Sequence, residues 1–292
     1  MNRIQIWILA ARPKTLGACV SPVLMGGALA YRDGMFHVLA FFTALLASLL
    51  IQVGTNFCND YFDFIKGADT ASRVGPTRAT QAGLVSLKQM RYAFVLAFFL
   101  ATLLGCYLVF RGGWPMVVIG VLSLAAGVFY TAGPYALGYV GLGDIFVLVF
   151  FGPVAVLGTY YVQTLQFSPM ALVAGFAPGL LSTAILTVNN LRDIDQDRKA
   201  HKKTLAVRFG KFFSKVEYVS AIVFAALIPF VLFYFFHAPV AILFSSTVII
   251  LAYPLMKKIV ESEDAQVLNA VLGKTGKLTL LFGVFFSLGL IL

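Results

Sequence analysis

This chain is short of charge. Charged side chains make up 12% of its 292 residues, about half the fraction usual in a soluble domain. Cysteine is scarcer still. Cys19, Cys58 and Cys106 are the only three, too few for a disulfide framework and without metal-site spacing. They read as small apolar residues inside helices. Disorder is excluded too, because a disordered chain is poor in apolar residues. What the chain has is apolar bulk: 60% of residues are hydrophobic, 28 are Phe, and mean hydropathy is +0.90. A soluble globule of this size leaves roughly a quarter of its surface in water and cannot hide that much apolar area. The composition describes an all-α integral membrane protein that crosses the bilayer several times.

A span needs about 20 mostly apolar residues. Nine stretches qualify: 15–31, 36–58, 92–110, 114–132, 142–164, 170–190, 217–236, 238–256 and 275–292. The opening MNRIQIWILAARPKT has too short an apolar patch for a signal peptide and runs into Arg12 and Lys14. It reads as an interfacial helix leading into the first span. A single domain over 1–292 is expected. Charge placement supports the map. With the N-terminus and every second connection on one side, that side holds 20 of the 22 Lys and Arg residues. Arg32 and Arg111 alone lie opposite. The positive-inside rule makes the crowded side cytoplasmic. The net charge of +10 is thus a topology signal. No nucleic-acid partner is implied, because the cations are split among loops and interleaved with acids.

Eleven of the twelve acids fall on that same side, Asp33 being the exception. Six of them form two clusters, at the ends of the second and sixth spans. The first runs from Asn56 through Asn59, Asp60 and Asp63 to Asp69; the second holds Asn189, Asn190, Asp193, Asp195 and Asp197. A spacing of four residues puts side chains on one helix face. It pairs Asn59 with Asp63, Asn56 with Asp60, Asn189 with Asp193, and Asp193 with Asp197. Asp195 lies about 200° round the helix from Asp193 and points elsewhere. Carboxylates at membrane depth are expensive and mark function. Stacked like charges repel unless a hard cation bridges them. Mg2+ suits, because it takes oxygen ligands, one or two carboxylates among them, plus substrate phosphates. Two such faces turned toward each other would hold Mg2+ and a diphosphate. The plain alternative is a pair of solvated helix ends.

Each cluster runs into a basic loop. Lys66, Arg73 and Arg78 follow the first; Arg198, Lys199, Lys202, Lys203 and Arg208 follow the second. Arg and Lys meet phosphate oxygens through charge-assisted hydrogen bonds. Arg73, Arg78, Lys202 and Lys203 are the candidate diphosphate ligands, Arg78 and Lys203 foremost. Residues 59–91 are too many for a plain connection and suggest a lid or substrate loop. Ser86 is placed to cap a short helix there.

The two clusters resemble the aspartate motifs of the UbiA superfamily of intramembrane aromatic prenyltransferases. The resemblance implies nine transmembrane helices around a central cavity that opens to the cytoplasmic side, with Mg2+ and diphosphate held by motifs on helices two and six. The first motif has the form N-D-x-x-D-x-x-x-D. Asn59, Asp60 and Asp63 match it, but its last Asp falls on Gly67; Asp69 is the candidate replacement. Asp193 and Asp197 match the second motif. Metal ligands implied are Asn59, Asp63, Asp69, Asp193 and Asp197, and the catalytic set is Asp60, Asp63, Asp193, Asp197 and Tyr130. Some members carry Tyr-x-x-x-Lys at Tyr130; here Pro134 takes the Lys position. Stretches 11–30, 59–70, 75–86, 130–164 and 189–211 are similar to the branch that prenylates 1,4-dihydroxy-2-naphthoate in menaquinone synthesis. Its RPKT element places Arg12 or Lys14 at the cavity mouth, or else as a basic anchor.

The reaction implied is electrophilic prenylation of an aromatic ring by a polyprenyl diphosphate, in a bacterial inner membrane. Loss of the diphosphate leaves an allylic cation that aromatic faces stabilise; Tyr130, Tyr160 and Phe62 are candidates. The apolar tail lies in grooves open to membrane lipid. Another ring acceptor, such as 4-hydroxybenzoate, is the nearest rival. A cation-coupled transporter would place carboxylates near mid-membrane and on both sides, unlike these. A CDP-alcohol phosphotransferase would show one dense Asp run, which is missing. The topology has a direct check. Cysteines replacing Arg32 and Lys88 should react with an impermeant reagent from opposite faces of the membrane; labelling from one face would break the nine-span map.

Overall fold

The computed structural model describes residues 1–68 and 75–292, all of them helix, turn or loop. Helix α1 (Arg3–Ala11) starts in a capping box between Asn2 and Gln5. Ile6 and Trp7 pack toward Phe57 and Met90, while Met1, Ile4 and Ile8 stay exposed, as an interfacial helix requires. Next come α2 (Pro13–Arg32), α3 (Val38–Ile65), α4 (Leu87–Gly112) and α5 (Trp114–Phe129). A broken rod follows: α6 (Gly143–Val149), a π-turn at Phe150–Val154, and α7 (Ala155–Thr164). Then come α8 (Pro169–Arg192), α9 (Ile194–Lys199) and α10 (Leu205–Phe236). A 3₁₀ segment, Val240–Thr247, leads into α11 (Val248–Glu261), and α12 (Ala265–Ile291) ends the fold.

Seven of these are long and apolar enough to cross a membrane: α3, α4, Gly143–Thr164, α8, α10, Val240–Glu261 and α12. The other two expected spans coincide with α2, rich in Gly, Ala and Ser, and α5, which has only 16 residues. Several helices outrun their apolar stretch. α3 continues seven residues past 58, carrying the Asn59–Asp63 motif on a continuing helix. It stops at a left-handed Gly67, φ +67°, where the Ala68 N–H closes on the Asp63 carbonyl at 2.9 Å. A left-handed glycine is a common way for a helix to stop. Ser86 caps α4 itself rather than a short helix, in a box with Gln89. α10 begins twelve residues before its apolar run and is interrupted at Gly210, φ +85°.

α8 is the central post, 72% of its apolar window being buried inside the fold. It packs on α10, α12, α2 and the broken rod. Two glycine seams set the spacing. Between α2 and α12, a Cβ on Gly17 would stand 2.6 Å from the Gly276 carbonyl oxygen, and one on Gly276 would strike the Lys14 carbonyl. Between the rod and α8, Gly175 and Gly179 admit the bend at Gly152, whose φ −117° and ψ −112° leave the helical region. Pro153, with no N–H to donate, follows the bend. The far end of the rod is capped from α4: Arg111 donates to the carbonyls of Val162 and Gln163 at 2.6 and 2.8 Å. At the same end the Tyr160 hydroxyl donates to Asp33 at 2.7 Å. Tyr160 therefore serves the end remote from the acidic clusters, not an allylic cation.

At Gly276 the α2–α12 seam meets only the Lys14 backbone, with no flexible side chain to yield. Gly276→Val should destabilise the protein by about 1–3 kcal/mol, the usual cost of overpacking. A lower midpoint of thermal unfolding in detergent would show it, and an unchanged midpoint would mean the seam is looser than it looks.

Candidate active site

A cavity of about 610 Å³ runs down the middle of the bundle. Its wall takes residues from α2 through α9, with Leu272 from α12. On α3 the lining extends from Asp63 to Ala44. Nineteen residues at 1.5 Å each make about 28 Å, close to the ~30 Å thickness of a hydrocarbon core. The deep part is apolar, with Val109, Met116, Val117, Leu124 and Phe150. The polar end gathers Asn59, Asp63, Arg78, Asp193, Asp197 and Lys202. The two acidic clusters thus meet in one chamber.

Asp63 is 2% exposed and a buried carboxylate needs compensation. It has three donors from three segments. The Tyr139 hydroxyl donates to Oδ1 at 2.8 Å, Arg78 Nη2 donates to Oδ2 at 3.2 Å, and Lys202 Nζ lies 3.4 Å from Oδ1. Lys202 also lies 3.6 Å from Asp197 Oδ1, so it bridges the two motifs. Asp193 receives a fork from its chain neighbour: Arg192 Nε and Nη2 reach its two oxygens at 2.7 and 2.6 Å. Arg192 is held in turn by Asn269 at 2.6 Å and Asn189 at 2.9 Å. Helix α8 ends at Asp193 and α9 restarts after it, but the Asp197 N–H still bonds the Asp193 carbonyl at 2.8 Å. Both carboxylates therefore keep to the chamber, whereas the Asp195 side chain is 73% exposed beside Arg198. Asn59 accepts from Thr131 at 2.9 Å, and Tyr130 lines the wall nearby.

Other expected site residues stand elsewhere. Asp60 does not line the cavity. Its two oxygens accept the backbone N–H groups of Ala79 and Thr80, both at 3.1 Å. It anchors the turn that presents Arg78, a positioning task. Lys203 is exposed and its side chain lies off the chamber; its backbone N–H donates to the Tyr139 carbonyl at 2.7 Å. Lys202, one residue earlier, is the cation inside. Phe62 packs on Tyr61 and Phe94, away from the cavity. Asp69 and Arg73 lie outside the described residues.

Tyr139, Arg192, Asn269 and Lys66 carry parts of the site that sequence reasoning did not single out. Lys66 Nζ donates to the carbonyls of Thr131 and Gly133 at 2.6 and 2.9 Å and lies 4.4 Å from the Tyr139 ring centroid. Lys202 lies over the same ring at 4.7 Å, so the ring serves two cations by its π face. Desolvation holds the Lys66 ammonium below the ordinary lysine pKa; Asp63 opposes this and Lys202 adds to it. The position of Tyr139 inside 130–164 was legible, but nothing in its neighbours told it apart from Tyr130 or Tyr135.

The donor set is hard oxygen: Asp63, Asp193, Asp197 and Asn59. Among the described residues, no three carboxylates, His or Cys converge to enclose an ion alone. That fits a cation taking one or two carboxylates and completing its shell with water and phosphate oxygens. A membrane-depth chamber joining such acids to Arg and Lys, above an apolar shaft, defines an intramembrane enzyme for a substrate with an anionic head and a hydrocarbon tail.

The chain belongs to the UbiA prenyltransferase family, whose model matches residues 19–286. It is 36% identical to 1,4-dihydroxy-2-naphthoate octaprenyltransferase of Haemophilus influenzae, over all of this chain and 97% of that one. It is 38% identical to the enzyme of the same name from Mycobacterium tuberculosis, over 77% of each. Its fold is that of the UbiA homolog from Archaeoglobus fulgidus bound to GPP and Mg2+, with TM-score 0.66, 16% identity, and 98% and 100% of the two chains covered. The protein is a membrane-embedded prenyltransferase.

The pairing of Asp193 with Arg192 refines how the aspartates are to be tested. Removing Asp193 outright would leave a buried guanidinium short of its counter-charge, a loss of about 3–5 kcal/mol. The isosteric amides also remove that charge, but they keep the side-chain shape and one acceptor oxygen for Arg192. Asp63→Asn and Asp193→Asn should each cut prenyl transfer at least roughly a hundredfold, the scale for losing an electrostatic stabiliser, while Asp195→Asn stays within about twofold because its side chain is in solvent. Equal losses in all three, measured as initial rates on purified protein, would refute the two-faced chamber.

Proposed function

We propose that the protein transfers a polyprenyl chain from a polyprenyl diphosphate to 1,4-dihydroxy-2-naphthoate. CO2 and diphosphate are lost and the product is the reduced, hydroquinone form of demethylmenaquinone. One observation carries the reading: Asp63, Asp193 and Asp197 share the polar end of an apolar shaft with Arg78 and Lys202. The names of the full-length relatives supply the acceptor. Nine membrane-crossing helices, with α2 and α5 completing the seven, form one domain over 1–292. The acidic end and the N-terminus face the cytoplasm of a bacterial cell, and the protein is multi-pass in the inner membrane.

Mg2+ fits the oxygen donors, with Asp63, Asp193, Asp197 and Asn59 as its protein ligands and Asp69 as a further candidate. When bound, it neutralises diphosphate charge as the allylic C–O bond breaks. Arg78 and Lys202 already stand at Asp63 and Asp197, within reach of phosphate oxygens held there, and stabilise the leaving group. Tyr139 keeps Lys202 and Asp63 in register. The hydrocarbon follows the shaft toward Met116, where water is sparse and the allylic cation survives. Tyr130 and Phe146, both on the wall, offer ring faces to that cation. The naphthoate ring then attacks it.

The assay is purified protein, radiolabelled prenyl diphosphate and a panel of acceptors. Naphthoate should be prenylated, 4-hydroxybenzoate should not, and EDTA should abolish transfer until Mg2+ is restored. Transfer to 4-hydroxybenzoate alone would move the protein to the rival branch, and full activity in EDTA would remove the metal.

A further inference from the structure

Among the described residues, three cations line the cavity: Arg12, Arg78 and Lys202. Arg78 and Lys202 stand on the aspartates. Arg12 enters from another direction, the joint of α1 and α2. Its backbone is tied to α3 below the aspartates: Asn56 Nδ2 donates to the Ala11 carbonyl at 2.9 Å. Asn56 lies seven residues deeper than Asp63, about 10 Å along the helix axis. Tyr130 lines the same cavity as Arg12. Lys14, by contrast, lays its stem toward Gly273 of α12 and does not line the cavity.

The backbone of Arg12 is unusual. Its φ of 54° and ψ of 66° are left-handed, a region glycine enters freely and other residues resist. Two backbone tasks are done there. The Arg12 N–H closes α1 on the Leu9 carbonyl at 3.2 Å, and its carbonyl accepts the Thr15 N–H at 3.0 Å to open α2. Glycine would do both with less strain. The side chain is what this position adds, and an observed strain of this kind points to function.

We propose that Arg12 is the residue that receives the carboxylate of the aromatic acceptor. The inference rests on the naphthoate reading above. A planar guanidinium matches a carboxylate through two parallel N–H donors. An acid docked on Arg12 lies in the cavity that Asn56 and Tyr130 also line, with its ring toward the chamber where the allylic carbon is released. Arg12 makes and breaks no bond; it selects an acidic ring and orients it. A neutral ring lacks that handle.

The experiment uses full-length protein in lipid nanodiscs, with each substrate titrated separately. Arg12→Gly should unfold at or above the wild-type temperature, because glycine suits the backbone. Its KM for naphthoate should rise roughly tenfold or more, the equivalent of a lost charged hydrogen bond, with the KM for prenyl diphosphate unchanged. Arg12→Lys should recover part of that loss. The wild type and Arg12→Gly should use 1,4-naphthalenediol, which lacks the carboxylate, equally well. A rise in the diphosphate KM instead would place Arg12 on the leaving group and overturn the proposal, as would an unchanged naphthoate KM. A wild type that prenylates no carboxylate-bearing ring would overturn the proposed function and this inference together. A wild type active on naphthoate, with Arg12→Gly equally active, would remove this inference alone.

Discussion

Asp63 is the constraint on which the rest is arranged. A carboxylate in a low-dielectric interior is tolerated only with donors close by, and this one sits on a helix that has only just left its apolar run. The donors come from far along the chain. Arg78 belongs to the turn before α4, Tyr139 to the connection after α5, and Lys202 to the strap between α9 and α10. Satisfying one charge therefore fastens three connections onto the end of α3. Asp60, Lys66 and the Lys203 backbone add further ties to the same connections, and together these form the floor of the polar chamber.

Asp193 solves the same problem locally. Its counter-charge is the preceding residue, Arg192, which Asn189 and Asn269 hold on either side. The two motifs are thus unlike in their support although alike in spelling. One organises loops; the other stiffens the meeting of α8 with α12. Lys202 pairs with both motifs, through Asp63 and Asp197, and the Tyr139 ring steadies it.

Much of this was legible in the sequence. Hydropathy located every long helix, because apolar length is a strong signal over 20 residues. The i, i+4 spacing of Asp193 and Asp197, with Asp195 turned out, followed from helix geometry alone and survives the break at Asp193. Gly67, where the motif lacks its last Asp, is also where α3 ends. The failures have a common cause. Asp60 and Asp63 are equivalent as letters, but one faces the chamber and the other a turn 19 residues away, and no local pattern says which. Lys202 and Lys203 are adjacent, and their order is set by the handing of a single backbone bond from Lys203 to Tyr139. Tyr160 has the right chemistry for a cation but the wrong end of the bundle. Helix ends were misjudged wherever a polar continuation such as Leu205–Val216 stayed helical outside the apolar run.

The seam between α2 and α12 has a consequence for how the protein comes into being. Gly17 and Gly276, which meet there, are 259 positions apart in the sequence, so the ring of helices cannot close until α12 has been made and inserted. Contacts of such long range form late. During synthesis the growing bundle presents a flank to the bilayer where α12 will dock, and lipid is the natural filler. Docking of α12 displaces those lipids and brings Leu272 to the cavity wall. Enclosure of the chamber is therefore an event of biogenesis that waits on the docking of α12.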